Sequence, residues 1–74
     1  MKSLEILDRE FLTMRTHLLD IAATFDRITR GDDVPQAWDD PRMDQLRETL
    51  KLLASDAVQP PATRAEAVQM LFTK

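Results

Sequence analysis

The chain has 74 residues and a formal net charge of −3, and it contains no cysteine. Without cysteine, a disulfide framework and thiolate metal sites are excluded. Acidic and basic residues are interspersed, so the sequence lacks the concentrated positive charge with which proteins bind nucleic acids and anionic lipids. No apolar run approaches the roughly 20 residues of a membrane span, and the N-terminus lacks the apolar block of a signal peptide. We therefore expect a small acidic cytoplasmic protein with no nucleic-acid or membrane partner.

The first part of the sequence predicts one long amphipathic helix, at about residues 3–30. Its apolar residues recur at alternating intervals of three and four, in a line called the seam: Leu4, Leu7, Phe11, Met14, Leu18, Ile21, Phe25 and Ile28. This a/d heptad pattern is typical of a helix that packs lengthwise on other helices. Ser3 is expected to cap the start of the helix. Gly31, the only glycine, is expected to end it in a left-handed conformation.

A polar segment, residues 31–40, is predicted to be a loop or to contain a short helical turn. Asp40 followed by Pro41 then predicts a helix start, with a capping carboxylate before a proline at the first helical position. The second predicted helix covers about residues 41–55. Its apolar residues keep the three-four spacing of the first helix: Met43, Leu46, Leu50, Leu53 and Ala57.

Two consecutive prolines, Pro60 and Pro61, end any continuation of the second helix. Thr63 and Glu66 then have the spacing of a capping box, which predicts a third helix at about residues 63–73. A helix of this length is stable only when it docks on other parts of a fold. The sequence therefore predicts a single all-α domain over residues 1–74. In it, a long N-terminal helix packs against two shorter helices, as a helical hairpin or a small three-helix bundle.

The predicted first helix is long for so small a domain. It would extend about 42 Å at 1.5 Å per residue, whereas a compact domain of this length has a diameter of roughly 29 Å. Folding the whole chain into a compact domain would bury apolar area that contributes on the order of 110 kcal/mol, and ordering its 74 residues costs a similar amount at about 1.5 kcal/mol each. Either the later helices cover the whole first helix, or a second copy of the chain does.

A second apolar strip lies beside the seam. At 100° per residue, Leu12 and Leu19 project well away from the seam, and they widen the apolar sector to about half of the helix circumference. They pack beneath the third helix of the same chain, or they bind another chain. Arg15 lies between the seam and this strip. Its side chain either extends to water or presents its guanidinium to a carboxylate across an interface. The candidate carboxylates are Asp8 of a second, antiparallel copy of the first helix, or Asp44 and Glu48 of the second helix.

Trp38 is the large apolar residue of the connecting segment. It either folds back on the chain's own core near Phe25 and Ile28, or it projects as an anchor of an interface, where tryptophan is common among binding hot spots.

Catalytic and metal-binding patterns are weak in this sequence. His17 is the only histidine, and with Asp20 it supplies two ligands, which is too few for a metal site. Neither serine has the surroundings of a catalytic nucleophile. The aspartates of residues 32–40 lack the ligand spacing of a calcium-binding loop. We therefore expect a protein that is not an enzyme and that has no cofactor or metal.

These observations lead to a preferred functional hypothesis and two alternatives. The preferred one is a protein-protein interaction module that self-associates through its first helix, as a homodimer, with Leu12, Arg15, Leu19 and Trp38 as interface candidates. The first alternative is a small adaptor or inhibitor subunit whose segment from Val68 to Phe72 docks only on a larger partner. A metal-binding helical protein is the remaining alternative.

Overall fold

A computed structural model describes residues 1–56, 58–59 and 61–73; most of these residues are helical, and no strand occurs among them. The helices are α1 (Ser3–Thr29), α2 (Val34–Asp39), α3 (Pro41–Ala54) and α4 (Arg64–Phe72). The predicted all-α fold, with a long N-terminal helix followed by shorter ones, is confirmed. The continuation of the apolar spacing to Ala57 and the helix-ending role of Pro60 lie outside the described residues. The chain divides into two units, Met1–Val34 and Pro35–Lys74, each described by itself below.

The first unit consists mainly of α1, whose 27 residues extend about 40 Å. The helix begins at Ser3, as predicted, but the predicted cap is wrong, because Lys2 rather than Ser3 holds the N-cap position, with an extended backbone and no capping side chain. Several threonine hydroxyl groups of α1 form hydrogen bonds within the helix. The hydroxyl groups of Thr16, Thr24 and Thr29 each donate to the carbonyl oxygen four residues earlier, a bond that threonine commonly makes in helices.

Gly31 follows α1 but does not have the predicted left-handed conformation, since its φ lies outside that region. Its N–H donates to the Ile28 carbonyl at 3.1 Å, which continues the last turn of α1 in a tighter form. The helix therefore ends without the backbone reversal that would require glycine.

The second unit begins with α2, where the sequence left a loop and a helical turn as equal alternatives; the structure has the helix. As predicted, α3 starts with Asp40 as its N-cap and Pro41 in the first turn. The Asp40 carboxylate accepts from the Arg42 N–H at 2.8 Å and from the Arg42 guanidinium at 2.9 and 3.0 Å. The cap is thus also a local ion pair.

The α3 and α4 helices pack against each other. The Gln45 side chain amide donates to the Leu71 carbonyl at 3.3 Å, and the Arg64 guanidinium donates to the Ser55 carbonyl at 3.1 Å. These bonds join the start of one helix to the end of the other, so the pair is antiparallel. Both acceptors are carbonyls near a helix C-terminus, which lack a partner within their own helix.

Burial along α3 differs from the predicted apolar line. Met43 is 4% exposed, and it is the buried residue among those the structure describes. Leu50 is half-buried, while Leu46 and Leu53 are exposed. Gln45, whose side chain bonds to the Leu71 carbonyl of α4, and Leu52, which is half-buried, were not part of the predicted three-four line. In α4 the predicted capping residue, Thr63, accepts from the Glu66 N–H at 3.2 Å.

The conformation of Gly31 makes a testable prediction about stability. A Cβ at this position would lie 3.4 Å from the Ile28 carbonyl oxygen, an ordinary contact. Gly31→Ala should therefore stabilise the protein by about 0.4–1 kcal/mol, because alanine reduces the entropy of the unfolded chain. Urea unfolding followed by circular dichroism measures this change. A destabilisation of about 1 kcal/mol or more would indicate a left-handed conformation at residue 31.

The cap of α3 makes a prediction about pH dependence. The hydrogen bonds from the Arg42 side chain, and then from its N–H, lower the pKa of Asp40 from 3.8 to about 2. A carboxyl group with a lowered folded-state pKa stabilises the fold above its ordinary pKa, and this contribution is lost as the pH falls from 3.8 towards 2. Asp40→Asn keeps a capping oxygen but removes the charge. We expect the difference in melting temperature between the two proteins to narrow over that pH range, and a constant difference would contradict the prediction.

Candidate protein-interaction surface

An apolar groove runs along the middle of α1. It is lined by four seam residues together with Arg15 and Leu19, and we call it the α1 groove: Leu7, Phe11, Met14, Arg15, Leu18 and Leu19. The four seam residues lie on one side of the helix because three- and four-residue steps return to nearly the same direction every turn, and Arg15 and Leu19 line the adjacent edge of the groove. The structure thus brings two predicted interface residues, Arg15 and Leu19, into one surface.

The residues of this surface are exposed although they are apolar. The six seam residues from Leu4 to Ile21 have between 41% and 67% of their area exposed. Leu12 is 70% exposed and Leu19 is 53% exposed. Phe25 and Ile28, at the end of the seam, are half-buried.

Leu12 lies beside the α1 groove without lining it. It projects on the same side of the helix as Leu19, seven residues away, so the apolar surface continues past Arg15. Monomeric soluble proteins rarely expose a continuous apolar surface of more than a few hundred Å². A surface of this kind indicates a binding function more strongly than scattered leucines would.

Arg15 supplies the charge at the edge of the groove. Within Met1–Val34 neither Arg15 nor Asp8 makes an ion pair, whereas Arg9 pairs with Glu10 at 3.0 Å. On α3, two carboxylates that the sequence offered as partners of Arg15 are paired in their own helix. Asp44 lies 3.7 Å from Arg47, and Glu48 lies 3.5 Å from Lys51. The aliphatic part of Arg15 lines the groove, and its guanidinium has no carboxylate within its own unit.

Trp38, the fourth predicted interface residue, belongs to the second unit and is half-buried on α2. The guanidinium carbon of Arg47 lies 5.1 Å from the centre of its ring, within the range of a cation–π interaction. Sequence reasoning missed Arg47. Its spacing of nine residues from Trp38 crosses a helix boundary and therefore matches no helical repeat.

The described residues contain no group of three or more His, Asp or Glu side chains that could hold a metal ion. His17 is exposed. No helix in the described part of the chain is both long and apolar enough to cross a membrane. Comparisons of the chain with protein-family models, curated proteins and solved structures find no match. The α1 groove is therefore interpreted from its own geometry and chemistry.

The contact between Trp38 and Arg47 can be tested against a matched residue on the same helix. Arg47→Met keeps much of the side-chain length and removes the cation, so we expect a loss of about 0.5–1 kcal/mol. Lys51→Met also removes one member of an exposed i,i+3 ion pair but leaves the contact between Arg47 and the Trp38 ring in place, and we expect a change within about 0.5 kcal/mol. Urea unfolding monitored by the single tryptophan gives both values. Equal losses in the two variants would show that the ring contributes nothing.

Proposed function

We propose that this protein is a non-enzymatic protein-protein interaction module that self-associates through α1 to form a homodimer. The observation that carries the proposal is the exposed apolar face of α1. The seam residues from Leu4 to Ile21 are exposed, and the α1 groove lies in the middle of this face. An amphipathic helix gains most of its stability from packing its apolar face. An exposed apolar face of this extent is therefore a surface suited to another helix.

The expected energy is consistent with a reversible dimer. Full burial of a large apolar side chain contributes about 1.5–3 kcal/mol. If six seam residues in each of two copies hide the exposed half of their area, the total is on the order of 10–15 kcal/mol. Association costs about 4–15 kcal/mol before any net affinity appears. The gain is thus comparable to the cost, and the proposed dimer should dissociate on dilution.

A second copy is the partner that best fits this surface. The seam repeats at heptad spacing, so the same residues on two copies interdigitate as in a coiled coil. Dimers with two-fold symmetry use one patch twice, which requires a self-complementary patch. The seam has no charged residue, and Arg15 at its edge can meet a carboxylate of a second copy.

The adaptor alternative receives less support. It requires the segment from Val68 to Phe72 to dock only on a partner. In the structure Val68 and Leu71 are half-buried, and the Leu71 carbonyl accepts from Gln45 of α3. Part of this segment thus already packs within its own unit, although Phe72 is exposed. The absence of enzymatic activity, cofactors and metals, and the cytoplasmic location, stay predictions from the sequence.

The proposal predicts a concentration-dependent dimer that two substitutions disrupt. Light scattering should give a molar mass that rises from monomer to dimer across a dilution series, and the melting temperature should rise with concentration. Leu12→Asp combined with Leu19→Asp should give a monomer at concentrations where the unmodified protein is a dimer. Leu12 and Leu19 border the seam on either side of Arg15, so the two new carboxylates would compete for its guanidinium within the same helix and would lose hydration where the partner helix packs.

A matched control keeps the added charge and changes its position. Thr13→Asp combined with Thr24→Asp adds two carboxylates on the opposite side of α1, and this variant should dimerise like the unmodified protein. Monomers at every concentration of the unmodified protein would overturn the proposal. The same molar mass for both double variants would remove Leu12 and Leu19 from the interface.

A further inference from the structure

The exposed part of the seam has a centre that can be located. The exposed seam residues begin at Leu4 and end at Ile21, while Phe25 and Ile28 beyond them are half-buried. The midpoint of this exposed part lies between Leu12 and Thr13. The α1 groove, whose lining extends from Leu7 to Leu19, is centred at residue 13. Both observations place the middle of the free surface at the same turn of the helix.

Two complementary pairs of polar residues flank this centre, one of opposite charge and one of a carboxylate and an imidazole. Asp8 and Arg15 lie along one edge of the seam, at heptad position e, and Glu10 and His17 lie along the other edge, at position g. In each pair the residues are seven apart, or about 10.5 Å along the helix, which is too far for an ion pair within α1. Each pair extends from one side of the centre to the other. A second helix in the opposite direction would therefore match each charge with its complement.

We propose that two copies of α1 associate antiparallel, in a register centred between Leu12 and Thr13; this inference rests on the proposed function. Leu4 faces Ile21 of the partner subunit, Leu7 faces Leu18 of the partner subunit, and Phe11 faces Met14 of the partner subunit. Two-fold symmetry repeats each pair, so all six exposed seam residues are used. Phe25 and Ile28 lie outside the overlap.

The charges along both edges are complementary in this register. Asp8 faces Arg15 of the partner subunit, twice by symmetry, which supplies a carboxylate to the guanidinium that has none in its own unit. Glu10 faces His17 of the partner subunit on the opposite edge. Glu10 also accepts from Arg9 at 3.0 Å, and its second carboxylate oxygen is available to the partner histidine.

Antiparallel registers shifted by one heptad place like charges together. A shift towards the C-terminus sets Arg15 against Arg15 of the partner subunit, and it brings the half-buried Phe25 and Ile28 into the interface. A shift towards the N-terminus sets Asp8 against Asp8 of the partner subunit and overlaps only the seam from Leu4 to Met14. Like charges at an interface select against such arrangements.

A parallel dimer would leave one of the two charged residues, Asp8, without an oppositely charged partner. It places Glu10 near Arg15 of the partner subunit, because position g of one helix faces position e of the next heptad on the other. Glu10 is the carboxylate that Arg9 already contacts. Asp8 would face an uncharged serine, Ser3 of the partner subunit, and would gain no ion pair. The antiparallel arrangement is therefore the one that pairs both Asp8 and Arg15.

Charge reversal tests the register. Asp8→Arg and Arg15→Asp should each weaken dimerisation by about tenfold, because each turns two symmetric attractions into repulsions. Combining the two substitutions should restore the affinity to within about twofold. Asp26→Arg, which makes the same charge change outside the overlap, should have no effect. An Asp8→Arg variant that dimerises normally, or a double variant that stays weak, would overturn the antiparallel register.

Disulfide crosslinking gives a test independent of charge, because the chain has no cysteine of its own. Leu7→Cys and Leu18→Cys proteins, mixed under mild oxidation, should crosslink to each other. Neither should crosslink alone, since like thiols would be displaced by about 16 Å along the helix. Crosslinking of the Leu7→Cys protein alone would indicate a parallel dimer and overturn the register. Light scattering of the unmodified protein separates this failure from a failure of the proposed function, since a protein that is always monomeric overturns both.

Discussion

The central constraint on this molecule is that α1 has an apolar sector of about half its circumference, and much of that sector faces water. Apolar area in water is the main unfavourable term that folding removes. In α1 the seam residues from Leu4 to Ile21 and the strip formed by Leu12 and Leu19 retain 41–70% of their exposure. A surface of this kind stabilises the protein only when something covers it, and this requirement connects the sequence pattern to a binding role.

In the second unit, by contrast, short helices pack against each other. The α3 and α4 helices pack together, and two side chains, Gln45 and Arg64, donate to carbonyls at the ends of the facing helices. Both helices also have capping side chains at their N-termini, Asp40 and Thr63. Short helices are only marginally stable alone. The capping hydrogen bonds and the hydrogen bonds between α3 and α4 therefore contribute to the stability of this pair.

The charges on α1 have a different role from those on α3. On α3 the ion pairs join residues three apart, as in Arg47 with Asp44 and Lys51 with Glu48, and exposed pairs of this type contribute little to stability. On α1 the complementary charges Asp8 and Arg15 are seven apart and do not meet. Because they do not pair within one helix, we propose that they orient two copies of α1 in the dimer, since electrostatic complementarity determines specificity more than affinity.

The sequence by itself determined the features that depend on neighbours within one or two helical turns. The bounds of α1 followed from the heptad spacing to within a residue, and the caps at Asp40 and Thr63 followed from residue types next to the helix starts. Only the tertiary structure decided that Leu12 and Leu19 are exposed, that Arg47 lies over the Trp38 ring, and that Gln45 of α3 donates to the Leu71 carbonyl of α4. It also showed that Gly31 is not left-handed. The physical reason is that a helix and its caps form through bonds between residues four apart or fewer. Burial instead depends on which elements meet, and this is a property of the whole chain and its partners.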